Sequence, residues 1–358
     1  MKGVTDTIEK ALSAAGLGHG DAGSVERATV VGVVAREGGA SAPGAGDAGF
    51  GPKAPATPVR GGEFTSRSYS NDAGTRGYKL YVPEGYAAGS GDALPMVVML
   101  HGCTQSPDDF AAGTRMNALA DQHGFLVVYP EQAANANGSK CWNWFRPEDQ
   151  DRDRGEPSII AGITGEVAAG YRVDAGRVFV AGLSAGAAMA VILGATYPEL
   201  YAAVGAHSGL PYRAAHDMPS AFGAMKGSGA IGRASRQSGT TGAPSPYAGR
   251  GVPTIVFHGD RDLTVHARNG AAIIAQATGR TGQTLRSSTR EGADAGGRRH
   301  RHTVHSDAAG RPLVEHWDLH GAGHAWSGGS AAGSFTDAAG PDASAEMIRF
   351  FNAQVAGA

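Results

Sequence analysis

Five short, mostly apolar runs, at 96–100, 125–129, 177–181, 202–206 and 254–258, alternate with stretches of helical periodicity. A strand with one face in water alternates apolar and polar residues, whereas a continuous apolar run needs cover on both faces. The helices that supply this cover are read at 114–123, 158–171, 185–197 and 267–277. The pattern therefore predicts an α/β fold, a mostly parallel sheet with helices on both faces. A hairpin-like opening at 66–69 and 78–82 precedes the first buried run. A polar hairpin, roughly 284–318, and a closing helix at 343–355 end the chain.

Alternation fails in three places. Residues 1–37 read as an N-terminal helix and extension, with Ile8, Leu12 and Ala15 at helical spacing and Gly16 and Gly18 as a stop. Residues 38–62, mostly Gly, Ala, Pro and Ser, have the composition of a linker. The α/β domain is then 63–358. Inside it, 210–251 is rich in Gly, Ser, Ala and Pro with one short helical candidate at 219–225. A loop of that length between sheet strands reads as a lid or pocket wall. The 56 glycines follow no fixed period, which excludes a repeat architecture.

A formal net charge of −2 gives no reason to expect nucleic acid or an anionic membrane as partner. No apolar stretch approaches the ~18 residues of a membrane span. Thr5, Asp6, Thr7, Glu9 and Lys10 interrupt any signal-peptide core, so a cytoplasmic location is expected. The two cysteines, Cys103 and Cys141, can pair across loops in an oxidising compartment; in the cytoplasm two reduced thiols are the favoured reading.

Gly182-Leu183-Ser184-Ala185-Gly186 matches G-x-S-x-G and sits between a strand and a helix, where such a turn lifts a serine hydroxyl clear of the sheet. A serine needs a base and an orienting acid, in this setting in the chain order Ser, Asp or Glu, His. Asp262 follows the strand at 254–258, and His324 lies in a glycine-rich loop before the last helix. Asp260 is the rival acid, but nearer the strand end it is better placed to bond loop amides. The predicted fold is thus the α/β-hydrolase fold, with Ser184 as nucleophile, His324 as base and Asp262 as orienting acid.

Of the 13 histidines, only His324 stands where the base is expected. His101 and His258 precede glycines at strand ends and read as loop-shaping. His300, His302, His305 and His316 have spacing suggestive of a metal site, but with no nearby carboxylate or cysteine a solvated strand face is the better reading. His207 lines the pocket or has a structural role. The oxyanion donors are expected from the backbone N–H groups of Ala185 and Cys103.

His101-Gly102-Cys103-Thr104-Gln105, Cys141-Trp142-Asn143-Trp144-Phe145, Ala206-His207-Ser208-Gly209 and Gly323-His324-Ala325-Trp326, together with the serine motif, resemble the PHB depolymerase-type esterases, relatives of feruloyl and acetylxylan esterases. The resemblance covers roughly residue 64 to the C-terminus. It implies hydrolysis of short-chain hydroxyalkanoate (3-hydroxybutyrate-type) polyesters or oligomers through an acyl-enzyme, without metal or organic cofactor. It also implies a Cys103–Cys141 disulfide near the site. Feruloyl or acetylxylan ester hydrolysis is the alternative, and a non-catalytic binding protein on this scaffold the alternative of another class. The signal peptide and polymer-binding domain of secreted members are not visible, so soluble oligomers, small esters or intracellular granules are the expected targets. The N-terminal helix is a candidate granule contact, a plain docking helix the simpler reading. Trp326 is expected on an apolar pocket wall; Trp142 and Trp144 stand evenly between wall and core.

Overall fold

The computed structural model describes residues 62–86, 91–228, 251–294 and 296–354. The expected N-terminal helix, the linker apart from Gly62, and residues 229–250 of the expected lid lie outside the described residues.

Ten strands form one sheet in the order β1-β2-β4-β3-β5-β6-β7-β10-β9-β8. β1 (Glu63–Asn71) and β2 (Gly74–Val82) make an antiparallel hairpin whose second strand lies against β4 (Leu126–Pro130). From β4 the pairing is parallel through β3 (Leu94–Leu100), β5 (Val173–Leu183), β6 (Ala203–His207), β7 (Thr254–Gly259) and β10 (Pro312–Leu319). β9 (Arg299–Ser306) and β8 (Arg286–Ala293) then close the sheet antiparallel. β4, β6 and β7 are buried along their whole length, as the unbroken apolar runs require.

The polar hairpin of the sequence is therefore two strands and part of a third. β10 belongs to the parallel section, with Val314, Trp317 and Leu319 in the core. His316 and Asp318 interrupt its apolar pattern as half-buried residues beside the more exposed β9, and Glu315 interrupts it while buried, held by His302 and Arg349.

The helix expected at 114–123 is present as α2 (Met116–His123), and a separate helix not expected from the sequence, α1 (Pro107–Thr114), precedes it. Arg115 between them has φ 56°, a left-handed conformation that no continuous helix contains. Ser106 caps α1 by accepting from the Asp109 N–H, and Pro107 fits the first turn because its missing N–H would have no partner there. α3 (Gly155–Gly170), α4 (Ala185–Thr196), α5 (Met218–Met225), α6 (Arg268–Arg280) and α7 (Ala343–Ala353) complete the order.

One apolar core packs α3 and α4 against one face of the sheet; another packs α7 and Phe110, Met116 and Ala120 of α1 and α2 against the other. α4 is buried almost all round, since it lies beside the sheet beneath other elements, and its Ala-rich, Gly-containing sequence permits that closeness. Among the described residues no helix is long and apolar enough to cross a membrane.

Candidate active site

The serine turn is shaped by how near it runs to the end of β3. A Cβ on Gly182 would lie 2.5 Å from Gly186 C and 2.7 Å from Leu100 O, and one on Gly186 would lie 2.1 Å from Leu100 O. Both motif glycines are thus required by contact. Ser184 between them has φ 58° and ψ −120°, a strained conformation that costs about 1–3 kcal/mol and persists only where neighbours enforce it. They do: the Ser184 N–H donates to His207 O at 2.9 Å, and Ser184 O accepts from Ala188 N–H at 3.0 Å.

His324 reaches this site from the loop after β10, and Asp262 from the loop after β7. His324 Nδ1 donates to Asp262 Oδ2 at 2.6 Å. Its Nε2 is buried with no hydrogen-bond partner among the described residues, the Ser184 hydroxyl included. The other oxygen of Asp262 accepts from the N–H groups of Thr264 (2.9 Å) and Val265 (2.8 Å). Burial would raise the Asp262 carboxyl. The charge of His324 and hydrogen bonds from His258 and His324 outweigh it, holding the group well below the usual carboxylate range. His258 donates Nε2–H to Val265 O at 2.8 Å, bracing the same turn.

Asp260, the rival acid, instead accepts from Gly321 N–H at 2.7 Å and pairs with His320 Nδ1 at 3.1 Å. It ties the β7 loop to the β10 loop, on a more exposed side, and Asp262 alone of the two bonds His324.

The loop after β3 spends its amides selectively. Gly102 N–H donates to Gln105 Oε1 (2.9 Å), Thr104 N–H to Ser139 O (2.8 Å) and Gln105 N–H to Gly102 O (3.3 Å). Among the described residues the Cys103 N–H has no such acceptor, and neither has the Ala185 N–H at the head of α4. A Cβ on Gly102 would lie 3.6 Å from the Ser184 Cβ, so this loop runs directly beside the nucleophile. Two uncommitted amides flanking a serine are what an oxyanion requires. His101 holds the loop from below: its Nδ1 donates to Gly102 O, its Nε2 accepts from Gln132 N–H, and burial lowers it to about 4, so it stays neutral.

Cys103 and Cys141 are joined by a disulfide, with Cα atoms 4.2 Å apart. The reading of two reduced thiols is overturned, because β3 and the loop after β4 bring the pair together beside the serine. Sequence reasoning missed what anchors the Cys141 segment. Buried Glu156 accepts from Arg76 Nη2 (3.1 Å), Asn143 N–H (2.7 Å) and Asn143 Nδ2 (2.7 Å), and also from Gln132. These hydrogen bonds tie the Cys141 segment to β2 and α3 and offset the cost of burying the carboxylate. Nothing in its sequence surroundings, a helix start, marks it as such.

Ser184 and His324 open onto a cavity walled by Trp144 and Phe145, by Met218, Phe222 and Met225 of α5, and by Val265 and Phe335. Gln105, Asn137 and Thr264 are its main polar side chains besides the catalytic pair. Trp144 is on this wall; Trp326, expected there, is not, and Trp142 and His207, for which the sequence leaves wall and structural role open, are structural. Trp142 is fully buried, its indole N–H donating to His101 O at 3.1 Å. Trp326 packs edge-on to Phe110 and donates to Ser344 Oγ at 3.1 Å, so nearness to His324 in sequence does not bring it to the cavity. His207 stacks between Phe257 and Trp326 and accepts from Ser327 N–H at 3.0 Å. Burial lowers it to about 3, with the charges of His258 and His324 acting the same way. In the sequence Phe145 stands out only as the end of the Cys141-Trp142-Asn143-Trp144-Phe145 motif, and the α5 residues only through the lid reading of 210–251.

The β9–β10 histidines do have a carboxylate beside them. His302 Nε2 lies 2.8 Å from Glu315 Oε2 and stacks on Trp317, while Arg349 of α7 holds the same carboxylate. Glu315 directly precedes His316 in the sequence, so the reading that no carboxylate lies near these histidines is corrected. The cluster pairs a strand with a helix, and among the described residues no three metal-ligating side chains converge.

This sheet, a serine at a strained strand–helix turn and a buried His–Asp pair define an α/β hydrolase. The family model described as Esterase PHB depolymerase matches residues 76–303, and the chain belongs to that family. It is 37% identical over 251 residues to poly(3-hydroxyalkanoate) depolymerase C of Paucimonas lemoignei, covering 68% of this chain and 57% of that protein. It is 35% identical over 144 residues to feruloyl esterase B of Neurospora crassa, covering 40% and 47%. Among solved structures, an acetyl xylan esterase from Aspergillus awamori superposes with a TM-score of 0.60 at 19% identity, over 81% of this chain and 99% of that one, a likeness of fold. The chain spans about half the length of the curated relatives it matches.

Proposed function

We propose that the protein is a serine carboxylic ester hydrolase that cleaves short-chain polyhydroxyalkanoate polyester or its oligomers. The carrying observation is the His324–Asp262 pair, its Nε2 unpaired, sharing an apolar cavity with Ser184. His324 takes the Ser184 proton as the oxygen attacks the ester carbonyl; the Cys103 and Ala185 amides hold the oxyanion; His324 then protonates the leaving alcohol. Water, deprotonated by the same nitrogen, releases the acid and restores the serine. Asp262 stabilises the imidazolium in both halves, and no cofactor is called on.

Two observations support the substrate class. A relative matched over 251 residues is named a poly(3-hydroxyalkanoate) depolymerase. The cavity wall is apolar, and Leu263, next to Asp262, stands 81% exposed outside it. The Asp262 bonds to the Thr264 and Val265 amides hold that turn, so Leu263 extends the apolar surface outward, as a chain longer than the cavity would use. A second reading, feruloyl ester hydrolysis, is favoured by Trp144, Phe145 and Phe335, whose rings suit an aromatic acyl group.

Release of 3-hydroxybutyrate from soluble oligomers and amorphous polymer, measured beside feruloyl and acetyl esters, tests the proposal. Preference for the hydroxybutyrate substrates is expected. Preference for feruloyl or acetyl esters moves the function to polysaccharide de-esterification. Hydrolysis by Ser184→Ala equal to wild type overturns the enzyme reading in favour of a binding protein.

A further inference from the structure

Gln105 is 2% exposed, and its side-chain amide is fully used. Oε1 accepts from Gly102 N–H at 2.9 Å, and Nε2 donates to Asp109 Oδ2 at 2.8 Å and Ser334 O at 3.2 Å. Asp109 in turn holds Ser334 through its N–H (2.8 Å) and its hydroxyl (2.6 Å). The next residue, Phe335, stands on the cavity wall, and its carbonyl accepts from Trp326 N–H at 2.7 Å, two residues past His324. One side chain therefore closes a connection from the loop beside Ser184 to the loop that carries the base.

We infer that Gln105 is a positioning residue that fixes the Gly102-Cys103 backbone, and with it the oxyanion donor, relative to Ser184 and His324. The inference rests on the ester-hydrolase reading above. Two features separate this role from simple packing. First, the amide has only one workable orientation: reversed, its NH₂ would face the Gly102 N–H and its oxygen the Asp109 carboxylate. Second, the anchored amide belongs to the residue immediately before Cys103, so a displaced Gly102 displaces the donor. Loss of the bond moves a group whose value depends on placement, and a shift of ~1 Å in such a group costs on the order of 100-fold in rate.

The test compares wild type with Gln105→Met, which keeps the bulk without the hydrogen bonds, and Gln105→Glu, which can accept from Gly102 but cannot donate to Asp109. Steady-state hydrolysis of a soluble butyrate ester is measured beside inhibition by a trifluoromethyl ketone, which adds to the serine and places an oxyanion in the hole. In both variants kcat is expected to fall roughly 10- to 100-fold, KM to change less than about 3-fold, and the inhibition constant to rise in step with the loss in kcat/KM. The inference is overturned if kcat stays near wild type in either folded variant, or if it falls while inhibitor affinity is kept. If one variant does not fold, the other decides. Ser184→Ala runs alongside: wild type no more active than this variant would refute the ester-hydrolase reading itself.

Discussion

The floor of the site and its wall are built in opposite ways. The floor is backbone held at contact distance: Gly182 and Gly186 against Leu100, Gly102 against Ser184, and an Asp262 turn pinned by two amides and a histidine. The wall is apolar side chains from four separate segments, including a two-turn helix whose Met218, Phe222 and Met225 are only half-buried. Contact-packed backbone has one arrangement, so the floor suits chemistry that tolerates little displacement. Side chains with adaptable shapes, methionine above all, suit selection among acyl chains. Changes in the floor should strike kcat, and changes in the wall should redistribute activity among substrates.

The sharpest way to break this division is at the nucleophile. Ser184→Ala is expected to lower kcat by at least about 10⁴-fold on every ester, measured by steady-state hydrolysis. The next is the paired substitution of the two aspartates. Asp262→Asn should cost roughly 10³- to 10⁴-fold by leaving His324 misoriented and its imidazolium unsupported. Asp260→Asn, which loosens only the tie to Gly321 and His320, should stay within about 3-fold, a cost on the scale of one exposed hydrogen bond. A large effect at Asp260 would merge the two loops into one functional unit.

A smaller effect is expected on the wall. Phe222→Ala should shift preference toward longer acyl chains by about 10-fold in relative kcat/KM, a methylene or two of apolar contact, with kcat on acetyl esters unchanged. Uniform loss across chain lengths would assign α5 to the floor.

The smallest effect is on stability below neutral pH. His207 is buried neutral, its folded value lowered to about 3 from an unfolded value near 6.5. Above pH 6.5 both states carry it neutral and its contribution is intact; as pH falls below 6.5 the unfolded chain binds a proton the folded chain refuses, and stability drops. His207→Gln, which keeps an acceptor for the Ser327 N–H, should reduce that pH slope by about 1.4 kcal/mol per unit, read from denaturant unfolding between pH 6.5 and 4.

The same contrast explains what could be read from the sequence. Gly182, Gly186 and the order Ser184, Asp262, His324 are short-range signals, because the turn that needs them lies within five residues and the loops follow strands with unbroken apolar runs. The wall draws on residues near 144, 222, 265 and 335, which only the folded sheet brings together. Trp326 shows the trap in the other direction: two residues from the base, it is held in the core by Phe110 and by a partner for its indole N–H. β10 was hidden because Glu315 has its own partners, His302 and Arg349, so a charged residue could occupy a buried strand position.

Covalent labelling of the nucleophile tests the central claim most directly. Mass spectrometry after reaction with a fluorophosphonate ester should show one adduct per chain, on Ser184, formed in parallel with loss of ester hydrolysis. An adduct on another residue, or full hydrolysis surviving stoichiometric labelling of Ser184, would contradict the account.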